Sequence, residues 1–184
     1  MNFLKVLLVR LLQAGFFFYL ISAVVYAKDL RVIQSFSANF KQTVYSLEEG
    51  SALEYTGTIK ALAPTSVLWK YDKPIPKEIY IDNETMIVYE PKLQQAIFTQ
   101  LQENMDLLSL LKKAKKIKSD YYEATILDQK YALLLDNGIL KEVHFNDSLG
   151  NKVEIIFSDI VVNSKINAEI FEFNPGSNID IIYH

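Results

Sequence analysis

The sequence predicts a mainly β protein built as one strongly curved antiparallel sheet, with a few short helices. Apolar and polar residues alternate with a period of two along many short runs, for example at Val67, Trp69 and Tyr71. Turn residues separate these runs, and Asn137 and Gly138 between two alternating runs are a strong hairpin signal. No internal repeat or low-complexity linker interrupts this pattern after the amino-terminal segment, which favours a single domain.

The first half of the domain begins with a helix and continues with strands. Leu30 and Ile33 are three residues apart and predict a short helix over residues 28–34. The period then changes to two, which predicts a strand over residues 36–44. Further strands are expected at residues 53–62, 67–71, 79–81, 86–89 and 96–101. Asn83 is the expected pivot of a tight turn, because asparagine tolerates the left-handed conformation.

In the second half, one helix interrupts the strands. Four leucines between residues 107 and 111 form a stripe with helical spacing that ends in Lys112 and Lys113, and the run Asn104-Met105-Asp106 before them offers N-cap candidates. The basic run KKAKKIK at residues 112–118 is most simply interpreted as cations that suit a helix carboxyl end. A docking patch for an acidic partner surface is the alternative. Strands are expected at residues 131–135, 139–145, 153–162 and 179–183, with a helical turn over 167–173.

The first 27 residues have the layout of a secretory signal peptide. They carry two cations, Lys5 and Arg10, and no acid, around an apolar core at residues 11–25 and a small-x-small site ending at Ala27. Cleavage there would leave residues 28–184 as one domain, and it would change the net charge from −3 to −5. An uncleaved membrane anchor is the alternative, because the apolar stretch is near the length of a spanning helix.

The composition excludes several functional classes. The chain has no cysteine, so disulfides, a thiol nucleophile and a Cys-based metal site are unavailable. Its net charge is mildly negative, so it lacks the excess of positive charge that is typical of nucleic-acid-binding proteins. The two histidines, His144 and His184, lie in no metal-ligand spacing, and no phosphate loop or nucleophile motif occurs. The sequence therefore predicts a protein that is not an enzyme and that has no metal and no cofactor.

Residues 55–95 contain a distinctive order of residues: Gly57 in a strand, Pro64 after an apolar run, Trp69 in VLWKY, Pro74, Asp82 at a turn, and then Tyr89, Pro91 and Gln95. This order resembles the periplasmic outer-membrane lipoprotein carriers of the LolA type. The phrase SFSANFKQTV at residues 35–44 is similar to the opening strand of the same family. The resemblance implies an incomplete β-barrel with helices placed as a lid over an apolar cavity.

The resemblance also implies a binding site for acyl chains. Six side chains are expected to contact lipid, although each of them could instead be core filler: Phe36, Phe40, Trp69, Tyr71, Leu108 and Leu111. Family members commonly carry an arginine just before the proline that corresponds to Pro64, and this arginine latches the lid. Here that position is Ala63, whose side chain has no hydrogen-bond donor. We therefore expect a lid that is held mainly by apolar contacts.

By resemblance, the protein is expected to be a monomeric periplasmic chaperone. It would take acylated lipoproteins from a lipoprotein-releasing ABC transporter of the inner membrane and deliver them to a receptor or membrane surface at the outer membrane. Two alternatives remain open: a cell-envelope scaffold with a filled β core, and a β-barrel that binds a small hydrophobic ligand. The carrier predicts a cavity under leucine-rich helices, the scaffold predicts none, and the third predicts a pocket too narrow for several chains.

Overall fold

The computed structural model describes residues 29–47, 50–103 and 106–183, so the predicted signal peptide lies outside the described residues. Within these ranges the chain forms one α-helix, α1 (Leu107–Lys113), and two single-turn 3-10 helices at Leu30–Val32 and Ala168–Phe171. The strands are β1 (Ser35–Tyr45), β2 (Ala52–Leu62), β3 (Ser66–Lys73), β4 (Lys77–Asp82), β5 (Thr85–Glu90), β6 (Gln95–Gln100), β7 (Lys115–Lys118), β8 (Tyr121–Ile126), β9 (Gln129–Asp136), β10 (Ile139–Asn146), β11 (Lys152–Val162) and β12 (Asp180–Tyr183). In this part of the chain, no helix has both the length and the apolar character that crossing a membrane requires.

The described strands form one open sheet. Their order is β12-β6-β5-β4-β3-β2-β1-β11-β10-β9-β8-β7, so β12 and β7 are the two edges. Neighbouring strands are antiparallel, except that β12 runs parallel to β6. The predicted mainly β, open and curved sheet is therefore confirmed.

Several turns follow the sequence signals closely. Asn83 has a φ of 51° in the turn between β4 and β5, as predicted. Asn137 and Gly138 have φ values of 51° and 75° and connect β9 to β10. Both turns use residues that adopt the left-handed region at low cost, which is why short local motifs predicted them correctly.

Gly57 allows two neighbouring strands to approach each other closely. A Cβ atom at this position would lie 1.9 Å from the backbone oxygen of Lys70 and 3.0 Å from Cε1 of Phe40. The register between β2 and β3 also shifts between Thr56 and Gly57, so the sheet bends at this point. Any larger residue would have to displace backbone, because the nearest atom is a carbonyl oxygen.

The main core lies between one face of the sheet, α1 and the first 3-10 helix. Its largest fully buried side chains are Phe36, Phe157, Ile59, Leu108, Leu111, Leu133, Leu140 and Val67. All four leucines of α1 are buried, so the helix is packed tightly onto the sheet. Of the three predicted candidates, Asp106 is the N-cap, and it accepts a hydrogen bond from the Ser109 backbone N–H at 2.9 Å.

The carboxyl-terminal segment covers part of the other face of the sheet. The ring of Phe173 lies 5.3 Å from that of Tyr80, 5.4 Å from that of Tyr89 and 5.9 Å from that of Phe98, measured between centroids. Phe171 is buried in the preceding 3-10 turn. Apolar residues on this face therefore have a cover that the sequence patterns did not predict.

The helix predictions need correction in part. Helix α1 ends at Lys113, as the sequence indicated, but most of the remaining basic run, which was interpreted as part of a helix end, forms the edge strand β7. The backbone leaves the helical conformation at Ala114, which is extended with φ −64° and ψ 130°. The turn expected over residues 167–173 is a 3-10 helix only at Ala168–Phe171, and the helix expected over residues 28–34 is limited to Leu30–Val32.

Candidate functional site

An apolar cavity of about 220 Å³ lies between the sheet and α1. The strands β1 and β3 contribute Gln42, Trp69 and Tyr71, and the helix contributes its cap Asp106 with Leu107 and Leu110. The strands β8 to β11 contribute Ile126, Tyr131, Val143, Phe145, Ile155 and Phe157. Most of this lining is aliphatic or aromatic, so the cavity suits an apolar ligand.

A cluster of aromatic rings forms one wall of the cavity. Phe40 makes edge contacts with both Trp69 and Tyr71, and each pair of ring centroids is 5.0 Å apart. Trp69 also lies 6.3 Å from the ring of Phe157, which in turn contacts Phe36 at 5.3 Å. Edge-to-face packing of this kind gives the rings a defined orientation. The rings of this wall therefore pack against one another.

The cavity lining contains two hydrogen-bonded polar groups. The Tyr71 hydroxyl donates to Oε1 of Gln42 at 2.9 Å. Burial raises the pKa of Tyr71 to about 12, so its hydroxyl stays neutral at physiological pH. The carboxylate of Asp106 accepts hydrogen bonds from the backbone N–H and the hydroxyl of Ser109. The helix start thus provides a hydrogen-bond partner for each carboxylate oxygen of Asp106, which leaves the cavity suited to uncharged ligands.

The structure separates the six predicted site residues into two groups. Trp69 and Tyr71 line the cavity. Four others are buried and lie outside its lining: Phe36, Phe40, Leu108 and Leu111. The helix instead presents Leu107 and Leu110, which the sequence analysis did not select, because all four leucines fit the same apolar stripe. Lipid contact by the six residues stays a prediction.

Ala63 lies where the amino-terminal segment meets the sheet. Its backbone N–H donates to the backbone oxygen of Gln34 at 2.8 Å, and its side chain packs against the main core. The neighbouring residues Leu30 and Ile33 are buried beside α1. That apolar contacts of this kind hold a lid stays a prediction.

Glu103 adds a polar connection near the helix. One carboxylate oxygen pairs with Nζ of Lys113 at 2.7 Å, at the end of α1. The other accepts the backbone N–H of Leu127 at 2.8 Å, in the turn between β8 and β9. The hydrogen bond from Lys113, followed by that from Leu127, lowers the pKa of Glu103. No local sequence pattern indicates this connection, since its partners are 10 and 24 residues away.

The fold and the cavity together define a protein that can enclose an apolar ligand between a curved sheet and a short helix. Residues 31–132 match the family model described as outer membrane lipoprotein carrier protein LolA. The chain is 42% identical over 151 residues to the outer-membrane lipoprotein carrier protein of Wolinella succinogenes, which covers 82% of this chain and 87% of that protein. It is 37% identical over 191 aligned residues to the protein of the same name from Helicobacter pylori strain HPAG1, with 98% and 97% covered. The chain therefore belongs to the outer membrane lipoprotein carrier protein family, which confirms the resemblance.

Solved structures support the same fold. An uncharacterized conserved protein from Thermus thermophilus aligns with a TM-score of 0.53 at 9% sequence identity, covering 86% of this chain and 95% of that one. A DUF1329 family protein from Desulfovibrio piger aligns with a TM-score of 0.50 at 11% identity, covering 80% and 93%. At such low identity these likenesses concern the fold alone.

Proposed function

We propose that this protein is a periplasmic chaperone that binds the acyl chains of lipoproteins and carries them from the inner to the outer membrane. The observation that carries the proposal is the apolar cavity between the sheet and α1, in a chain of the lipoprotein carrier family. Trp69 and Tyr71 on one side and Leu107 and Leu110 on the other offer surfaces against which hydrocarbon packs.

The energetics explain why such a carrier is needed. Exposing an acyl chain of roughly fifteen carbons to water costs on the order of 12 kcal/mol, at about 0.8 kcal/mol per methylene. A lipoprotein therefore does not cross an aqueous compartment unaided. A useful carrier cavity also has to release its ligand, so it should bind acyl chains less favourably than a membrane does.

The cavity volume requires that a carrier of acyl chains opens to receive its cargo. Pockets for drug-sized ligands occupy about 300 to 1,000 Å³, whereas this cavity has about 220 Å³. Several acyl chains therefore require α1 to move away from the sheet. Such a change is accessible, because a bound ligand can favour an open state that lies a few kcal/mol above the closed one.

The proposal includes a route and partners that the family resemblance implies. Residues 1–27 would direct export and be removed, and residues 28–184 would act as one monomeric domain. An inner-membrane ABC transporter would supply acylated lipoproteins, and a receptor or membrane surface at the outer membrane would accept them. The six residues selected from the sequence would contact cargo in the open state, where side chains now behind the cavity lining become accessible.

The small cavity favours a second candidate function, which is binding of a single small hydrophobic ligand. A protein of this kind would not need to move α1. A scaffold with a filled core is disfavoured by the cavity itself.

One experiment separates these functions. The domain from Lys28 to His184 is saturated with a fluorescent apolar probe and then titrated with an acylated lipoprotein or its unacylated form. Displacement by the acylated form alone, with a soluble one-to-one complex, supports the carrier. Probe binding without displacement supports the small-ligand protein. Absence of probe binding removes both proposals.

A further inference from the structure

A second concave surface, which we call the basic groove, lies where the first 3-10 helix, α1, β7 and β8 meet. It encloses about 590 Å³, and its described lining residues are all different from those of the apolar cavity. Its charged lining consists of Arg31, Lys112, Lys113 and Lys115, opposed in the described part of the chain by one acid, Glu123. This concentration of positive charge occurs in a chain whose net charge is −3. The groove therefore differs from the average surface of the protein.

Two of the four groove cations have no anionic partner among the described residues. Arg31 pairs with Asp29 at 2.8 Å, and Lys113 pairs with Glu103 at 2.7 Å. Lys112 and Lys115 make no ion pair within residues 29–47, 50–103 and 106–183, and both are exposed. Glu123 lies across from Lys115 in the β7–β8 pairing, but it accepts a hydrogen bond from the Tyr121 hydroxyl and makes no ion pair with Lys115. An external anion could therefore bind these two lysines without breaking an ion pair.

The groove borders an open backbone edge. Among the described strands, β7 pairs only with β8, so the outer edge of Lys115–Lys118 has no strand partner there. Lys115 and Ile117 line the groove, while Lys116 and Lys118 stand over the rings of Tyr122 and Tyr121 at 6.0 and 5.3 Å. Ile117 is 56% exposed. The edge thus offers hydrogen-bonding groups beside free cations and an accessible apolar side chain.

Simpler explanations account for only part of this surface. The helix dipole favours lysines in the last turn of α1, which explains Lys112 and Lys113. Lysines also protect edge strands from unwanted pairing, but the opposite edge strand β12 has the sequence DIIY and contains no lysine. Protection of the edge also does not explain Arg31, because it belongs to the first 3-10 helix.

We propose that the basic groove docks an acidic, extended segment of a partner protein, which adds to β7 as a further strand. Backbone hydrogen bonds along the open edge provide affinity, and carboxylates opposite Lys112 and Lys115 provide specificity. Ile117 contacts an apolar side chain of the segment. The concave shape favours such a segment over a flat membrane, because the cations surround a groove and do not project from a convex surface.

The test uses two fluorescent peptides, one with Glu alternating with Val and one with Gln in place of each Glu. Anisotropy titrations with the full chain should show binding of the acidic peptide, which weakens with added salt, and much weaker binding of the Gln peptide. The variant Lys112→Glu/Lys115→Glu should bind the acidic peptide about tenfold more weakly or worse. The control variant Lys92→Glu/Lys165→Glu changes the net charge equally, at exposed lysines outside the groove, and should bind normally.

Hydrogen exchange supplies a second readout. The bound acidic peptide should slow exchange of backbone amides in β7, because a new strand would pair with them. Equal binding of the two peptides, equal loss in both variants, or unprotected β7 amides would overturn the proposal. Binding to anionic phosphatidylglycerol vesicles through Lys112 and Lys115, without peptide binding, would assign the groove to a membrane and would also overturn it.

Discussion

Two neighbouring leucines of α1 offer a sharp test of the site, because both are buried and, of the two, only Leu110 lines the cavity. The change of either leucine to alanine removes about 2.4 kcal/mol of transfer free energy, at about 0.8 kcal/mol per carbon. Leu108 is 1% exposed and packed on all sides, so Leu108→Ala also creates a void and should cost about 3 to 5 kcal/mol in total. Leu110 already faces empty space, so Leu110→Ala loses fewer contacts and should cost about 2 to 3 kcal/mol.

The assay combines urea unfolding with titration of the apolar probe. Leu110→Ala should enlarge the cavity and bind the probe more tightly than the wild type does. Leu108→Ala should lower the free energy of unfolding more and leave probe affinity nearly unchanged. The reasoning would be refuted if the two variants altered probe affinity equally, or if Leu110→Ala were the more destabilised protein.

Three further predictions concern other positions. The Ala63→Arg variant should retain an acylated cargo longer than the wild type does, because arginine provides a hydrogen-bond donor for the lid. Release kinetics equal to those of an Ala63→Met control would count against this prediction. Gly57→Ala should lower the free energy of unfolding by about 3 kcal/mol or more, because its Cβ would meet a carbonyl oxygen at 1.9 Å. The control Gly176→Ala should leave the free energy of unfolding nearly unchanged, because its Cβ would meet no described atom within 4 Å. The free energy of unfolding should fall as pH rises from 10 towards 12, because the pKa of the Tyr71 phenol is near 10.0 in the unfolded protein and about 12 in the folded protein. The urea midpoint of the Tyr71→Phe variant should decline less over this pH range than that of the wild type.

The sequence predicted the local features of the fold well. Alternation identified β1 and β3 nearly to their ends, and the position before the leucines limited the cap to residues 104–106, of which Asp106 is the cap. Each of these features depends on neighbours within a few residues. The strand β7 was missed because it is a short, polar run next to a helix, and its conformation depends on pairing with β8.

The site was less predictable than the fold. Half of the cavity lining comes from β8 to β11, including Ile126, Val143 and Ile155, and none of these residues was selected. Their alternation shows which side chains share a face, but it does not show which strands lie across from α1. That placement depends on the pairing of β1 with β11, whose partners Phe40 and Phe157 are far apart in the sequence.

The segment that carries Phe171 and Phe173 covers only part of the outer face of the sheet, so different parts of the sheet should differ in stiffness. In β3 and β6, side chains such as Leu68 and Ala96 are buried on the outer face, while Val67 is buried on the inner face. Packed side chains enclose this part of the sheet on both sides, and we expect it to resist bending. The outer-face residue His144 of β10 remains partly accessible to solvent. Cargo of different sizes should therefore be accommodated by deformation of the β7 to β10 portion together with α1, while the remainder acts as a stiff frame.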